Sequence, residues 1–268
     1  MTQRASTALL LAAGMGSRFR PAGDMLPKCL AEVDGEVILA RLMASLHHHG
    51  VKRLIVVTGF MAGRIQEFAQ TVDVELELVF IDNPDYASTN NIYSLWLARH
   101  YLHGPLVLLE SDLVFNGSLL ASMLTADSIA VSPVRPWMHG TTVNLDGTGR
   151  VTSFQLLTQT SEAGQYKTVN IYCLSRASWA AVLPRLEEHI AAGRMGSYYE
   201  IVFSEMVRDA VLDLQAVIFP ADQWYEVDTI ADQEAASALL ASQALCQEVL
   251  KRPDHLPGKT KRGKLKHE

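Results

Sequence analysis

The stretch that most restricts the fold is "TALLLAAGMGSRF", residues 7–19. Its apolar run, 7–13, has neither a helical nor an alternating rhythm, and it breaks at Gly14 and Gly16. Such a run reads as a strand buried on both faces and ending in a loop. A strand, glycine loop and helix in succession admit an anion. Bare backbone lets N–H groups approach phosphate oxygens, and the helix N-terminus adds partial positive charge. The same glycines also suit a plain turn. The dinucleotide fingerprint fails because position 19 is Phe, and the Walker pattern is absent. Charge sharpens the reading: Arg18, Arg20 and Lys28 flank the loop, and three cations there suit a triphosphate.

Those cations stand out because the body is acidic. Formal net charge is −6, yet residues 251–268 hold seven Lys/Arg against two acids, or +5, which leaves −11 on the other 250 residues. An acidic body argues against nucleic acid as partner. The basic tail reads as a disordered solubilising segment, with RNA or anionic lipid as the alternative. Cys29, Cys173 and Cys246 form no CxxC pair, so no zinc site is expected, and a reducing, cytoplasmic setting is. The apolar run is too short for a signal segment, and no stretch approaches the ~18 apolar residues of a membrane span.

Periodicity supplies the frame. Ile38, Leu39, Leu42, Met43 and Leu46 share a helical stripe that Gly50 ends. Strands are expected at 53–58 and in "ELELVFI", with a short helix around 63–70 between them, and a helix follows at "NNIYSLWLARHYLH" that Asn90 can cap. "PLVLLESD" is an apolar strand that delivers Ser111 and Asp112 at its C-terminal end. This β-α-β-α-β-α-β order predicts an α/β fold with a mostly parallel sheet and helices on both faces. The second half is richer in strands: "SIAVSPV", a hairpin about Asp146-Gly147, "KTVNIYCL", "LDLQAVIF" and "WYEVD". Helices are expected near 176–192, 197–210 and 231–250. His47, His48 and His49 point about 100° apart on a helix and read as surface.

"LLAAGMGSRF…LPKCL" resembles the G-x-G-[ST]-R-x(n)-P-K signature of nucleotidyltransferases with the GT-A-like fold. "NNIYSL", "ESDLVF" and "WYEVD" are similar to segments of bacterial phosphocholine cytidylyltransferases. "RPWMHGTTV", "YKTVNIY" and "SYYEIVFSEMV" are similar to cytidylyltransferases of phosphonate biosynthesis. That group usually carries Asp where this chain has His139. The resemblance implies a Rossmann-like mixed sheet with a β-rich acceptor half. With no linker, repeat or low-complexity segment before residue 251, one domain is expected over 1–250, divided near 115, before the 251–268 tail. The resemblance also implies transfer of a cytidylyl group from CTP to a small phosphonate, 2-aminoethylphosphonate first, with release of pyrophosphate. Phosphocholine, hydroxyalkylphosphonates and sugar 1-phosphates are the alternative acceptors, and a nucleotide-sensing module is the non-enzyme alternative. The partners expected are thus CTP and the acceptor; a homodimer is left open.

Phosphoryl transfer between two anions needs cations, and Mg²⁺ favours one or two carboxylates plus phosphate oxygens. The resemblance places the metal ligands at Asp112 and Asp228. Each could instead cap the helix that follows it. Glu110 and Glu226 lie two residues earlier on the same strand faces, and Glu226 is the further metal candidate. The resemblance puts Lys28 against the α-phosphate and Arg18 on the β- and γ-phosphates, as the catalytic cations. It gives the nucleotide to the backbone groups of Leu11, Ala12 and Gly14 and to Met15, Gly16, Ser17, Asn83, Asn90, Asn91 and Ser111. It gives the acceptor to Arg135, Trp137, His139, Lys167, Tyr198, Tyr199 and Glu200. Lys28 also reads as a surface lysine and Asn90 as a cap. The aromatics also read as core, and Glu200 and Glu205 as a solvated helix face.

Overall fold

A computed structural model describes residues 4–251 apart from 17, 20–24, 137 and 159–163. Ser17, Arg20, Trp137 and the tail from 252 onward therefore lie outside the described residues. The opening run forms β1 (Thr7–Ala12), followed by a loop and a 3₁₀ turn at Lys28–Leu30. A tight hairpin, β2 (Glu32–Val33) and β3 (Glu36–Val37), leads into α1 (Ile38–His48). The sequence reading missed this hairpin. Its signal was Asp34-Gly35, whose positive φ values of 53° and 75° suit a two-residue turn. Then come β4 (Arg53–Thr58), α2 (Ala62–Thr71), β5 (Glu77–Asp82), α3 (Asn91–Leu97), β6 (Leu106–Glu110) and β7 (Leu113–Phe115). The second half runs α4 (Leu120–Met123), β8 (Ser128–Pro133), β9 (Gly140–Leu145), β10 (Val151–Thr158) and β11 (Tyr166–Leu174). It ends with α5 (Arg176–Ala191), α6 (Glu200–Arg208), β12 (Gln215–Ile218), β13 (Trp224–Glu226) and α7 (Ile230–Lys251).

The expected α/β architecture is present. β5, β4, β1 and β6 form a parallel block. β11 pairs antiparallel with β6 and carries the sheet into the second half, where β9–β10 and β8–β12 attach. β1 is apolar throughout because both its faces are covered. Ala8, Leu10 and Ala12 pack with Leu39, Leu42 and Met43 of α1, while Leu9 and Leu11 pack with Ile92, Leu95, Val182 and Phe203 from α3, α5 and α6. Among the described residues, no helix is long and apolar enough to cross a membrane.

Candidate active site

Two short strands bring the two aspartates together. β7 starts directly after Asp112, and β13 ends two residues before Asp228. They pair antiparallel, with Glu226 opposite Leu113, and the Val227 N–H donates to the Asp112 carbonyl at 2.9 Å. Both carboxylates meet Lys28, whose Nζ donates to Asp112 Oδ2 at 2.8 Å and to Asp228 Oδ1 at 2.5 Å. Arg18 Nη2 lies 3.0 Å from Asp228 Oδ2. Burial alone would lower the Lys28 pKa, but the charges of Asp112 and Asp228 outweigh it and hold the ammonium above its usual range. The glycine loop makes this seat available. Gly16 has φ +59°, and a Cβ on it would lie 3.0 Å from Lys28 Cγ. Glycine thus tolerates the backbone and leaves room for the lysine stem.

The turn that carries Asp228 is fixed from behind. Asp232 Oδ2 accepts from the Thr229 N–H at 2.8 Å and the Asp228 N–H at 3.2 Å, and Thr229 Oγ1 accepts from the Asp232 N–H at 3.2 Å. This is a reciprocal capping box at the start of α7. The Thr-x-x-Asp spacing signalled it, yet the sequence reading passed over Asp232.

A cavity of about 870 Å³ opens over these groups, within the range of small-ligand sites. Its other side holds Lys167, Glu200, Glu226 and Glu110. Lys167, 3% exposed, donates to the Thr168 carbonyl at 2.8 Å and lies 3.5 Å from Glu226 Oε2. β11 is irregular here, with a register shift after Thr168 and Asn170 at φ 59°; such a bulge re-aims side chains beside a site. Asn91 joins the two halves. Its Nδ2 donates to Glu110 Oε1 at 3.0 Å and its Oδ1 accepts from the Tyr199 N–H at 2.9 Å. Burial raises Glu110 well above the usual carboxylate range, helped by the charges of Asp112 and Glu200. Burial also raises Glu226, against the pull of Lys167.

Of the residues singled out from sequence, the cavity brings together Arg18, Lys28, Asn90, Asn91, Asp112, His139, Lys167, Tyr198, Glu200, Glu226 and Asp228. Asn90 also caps α3, its Oδ1 accepting from the Asn91 N–H at 2.8 Å. Other candidates fall outside this cavity. Tyr199 does not reach it: the ring is fully buried against Tyr172 and Phe203, because Tyr198 and Tyr199 precede α6 and face opposite ways. Asn83 is buried, with its amide donating to Ser94 and Thr89 and its carbonyl accepting from the Asp85 N–H; it shapes the loop before α3. Leu11 and Ala12 are core side chains of β1. Gly14, Met15, Gly16 and Ser111 lie in the turns after β1 and β6, and Arg135 is exposed on the loop after β8. The sequence reading did not reach Asn170 and Thr141, which also line the cavity.

The donor set suits Mg²⁺. Asp112 Oδ1 is buried and has no hydrogen-bond partner among the described residues, and Asp112 and Asp228 already converge on one cation. No group of three or more His, Cys, Asp or Glu among those residues could hold an ion by itself. Two carboxylates that leave positions for water and phosphate oxygens are the usual Mg²⁺ arrangement.

Known proteins resemble this chain over most of its length. The chain is 32% identical over 240 residues to the CMP-5'-(3-aminopropyl)phosphonate synthase of Streptomyces rubellomurinus, covering 85% of this chain and 38% of that protein's length. It therefore spans well under half of that relative. It is 23% identical over 248 residues to the choline-phosphate cytidylyltransferase of Streptococcus pneumoniae, covering 88% of this chain and 99% of the other. In fold it matches a solved CTP:phosphocholine cytidylyltransferase of S. pneumoniae with a TM-score of 0.76 at 20% identity, over 88% of this chain and 99% of that one. The model of the MobA-like NTP transferase domain matches residues 8–249, so this chain belongs to that family.

Proposed function

We propose that this chain is a CTP-dependent cytidylyltransferase that acts on a small aminoalkylphosphonate, 2-aminoethylphosphonate in the first instance. One observation carries the reading: a single cavity holds Lys28 between Asp112 and Asp228 on one side, and Lys167 among Glu226, Glu200 and Glu110 on the other. The first group suits a triphosphate with its metal, and the second suits an acceptor that carries both charges. The names of the Streptomyces and pneumococcal relatives support the same class. A phosphonate oxygen attacks the α-phosphorus of CTP, the bond to the β-phosphate oxygen breaks, and pyrophosphate leaves. No covalent intermediate with the enzyme is needed. Asp112 and Asp228 would hold Mg²⁺, which when bound supplies positive charge between the two anions. Lys28 and Arg18 exchange their carboxylate partners for phosphate oxygens, and Lys28 stabilises the charge that grows at the transferred phosphorus.

Phosphocholine is the second reading, favoured by the Tyr198 ring, 42% exposed at the cavity, since aromatic faces attract quaternary ammonium groups. Pyrophosphate release from CTP and Mg²⁺ decides between them, measured with 2-aminoethyl-, 3-aminopropyl- and 2-hydroxyethylphosphonate and phosphocholine. A preference of at least about tenfold in kcat/KM for an aminoalkylphosphonate supports the proposal. A better rate with phosphocholine replaces it, and no release with any acceptor removes the cytidylyltransferase reading.

A further inference from the structure

The acceptor side of the cavity is short of positive charge. Glu110, Glu200 and Glu226 line it with Lys167. The Lys167 ammonium is already engaged by the Thr168 carbonyl and Glu226. The Asn91 amide is engaged by Glu110 and the Tyr199 N–H. Glu200 is only partly satisfied: Asn91, its own backbone N–H and the charge of Lys167 favour its carboxylate, yet one of its oxygens is left over. It is the first residue of α6, whose Val202, Phe203 and Met206 anchor the helix in the core. Glu200 is only 5% exposed, and its Oε2 is buried with no hydrogen-bond partner among the described residues. A buried carboxylate without a partner is unfavourable until something donates to it. Burial pushes the Glu200 carboxyl up to about 7, helped by the charge of Glu226, although its own backbone N–H, Lys167 and Asn91 pull the other way.

We infer that Glu200 is the counter-charge for a primary ammonium on the acceptor, and that it selects an aminoalkyl acceptor over its hydroxyl counterpart. The inference rests on the cytidylyltransferase reading above and names the substrate chemistry of that site. A primary ammonium brings one positive charge and three N–H donors, so it can donate to Oε2 while meeting a second acid. A hydroxyl brings one donor and no charge. A trimethylammonium brings charge and no donor, so it cannot satisfy Oε2. His139 also lines the cavity but offers no fixed negative charge, so Glu200 supplies what His139 does not.

The test is Glu200→Gln, which keeps the shape and removes the charge. In the wild type, kcat/KM for 2-aminoethylphosphonate exceeds that for 2-hydroxyethylphosphonate by at least about tenfold. In the variant that ratio falls by at least about tenfold through the KM of the amine, while the KM for CTP is unchanged. A ratio that stays the same, whether both acceptors weaken together or neither does, overturns the assignment. If the variant does not fold, the wild-type ratio still decides: equal use of amine and hydroxyl refutes it. If no acceptor releases pyrophosphate, the activity reading has failed separately. Calorimetric titration of both phosphonates into the wild type with CTP present then tests Glu200, and equal affinities, or no binding, refute it.

Discussion

Replacing Lys28 by Met tests whether a protein cation holds the two aspartates together where a metal is expected. Met keeps the apolar stem and removes the ammonium. Two charge-assisted hydrogen bonds disappear, at 2.8 and 2.5 Å, each worth about 1.5–3 kcal/mol. Asp228 keeps Arg18 at 3.0 Å, although that side chain is 72% exposed and contributes little. Asp112 loses the partner of Oδ2 while its Oδ1 is already unpartnered. The carboxylates retain 16% and 25% of their exposure, so water recovers part of the loss. A net destabilisation of about 3 kcal/mol follows, at the lower edge of that for breaking a buried pair. Urea unfolding without nucleotide measures it. Mg²⁺ gives a second arm: with Lys28 gone, millimolar Mg²⁺ restores part of the stability of the variant and leaves the wild type almost unchanged. A variant within about 0.5 kcal/mol of wild type, or equal Mg²⁺ stabilisation of both proteins, refutes the reasoning.

Glu200 gives a pH dependence. Its carboxyl titrates at about 7 in the fold against the usual 4.5, so between those values the folded chain binds more protons and stability falls as pH rises. Glu200→Gln escapes this and gains on wild type by about 3 kcal/mol at ~1.4 kcal/mol per pH unit; urea midpoints from about pH 5 to about pH 8 check it, and a pH-independent difference counts against it. Asp112→Asn and Asp228→Asn each lower kcat at saturating Mg²⁺ by more than tenfold while circular dichroism shows the fold intact; a smaller effect denies that residue its metal role. Gly16→Ala places a methyl against the Lys28 stem at positive φ, costing about 1–2 kcal/mol and lowering activity; unchanged urea midpoint and kcat contradict the packing argument. CTP exceeds UTP in kcat/KM by well over tenfold, as expected of a site that hydrogen-bonds the cytosine amino group; near-equal values deny the base assignment.

Much of the frame was legible because β1, β4 and β6 are continuous apolar runs and α1 has a clean stripe. Asp112 and Asp228 were singled out by the resemblance, helped for Asp112 by its place at the end of an apolar strand, at the edge where α/β sheets bind ligands. What the sequence could not show was facing. Tyr198 and Tyr199 are neighbours in a turn, and only packing against Tyr172 and Phe203 decides which one is buried. Asn83 had the right chemistry for a base, but Ser94 and Thr89 take up its amide. The partnership of Asn91 with Glu110 and Tyr199 depends on tertiary approach between α3, β6 and α6, which no local pattern encodes.

The pairing of β13 with β7 has a consequence for when this protein becomes competent during synthesis. The large sheet takes its last strand from β12, which ends at Ile218, and β13 pairs with β7 in a separate two-stranded sheet. Lys28 is 84 positions from Asp112 but 200 from Asp228. A growing chain, folding from its N-terminus, can close its main scaffold before its second carboxylate leaves the ribosome. A chain clipped between 218 and 224 would retain the strands of the large sheet and the Lys28–Asp112 half of the site without the other half. The second carboxylate of the site is thus added only after every strand of the large sheet has been made, to a scaffold that can already stand.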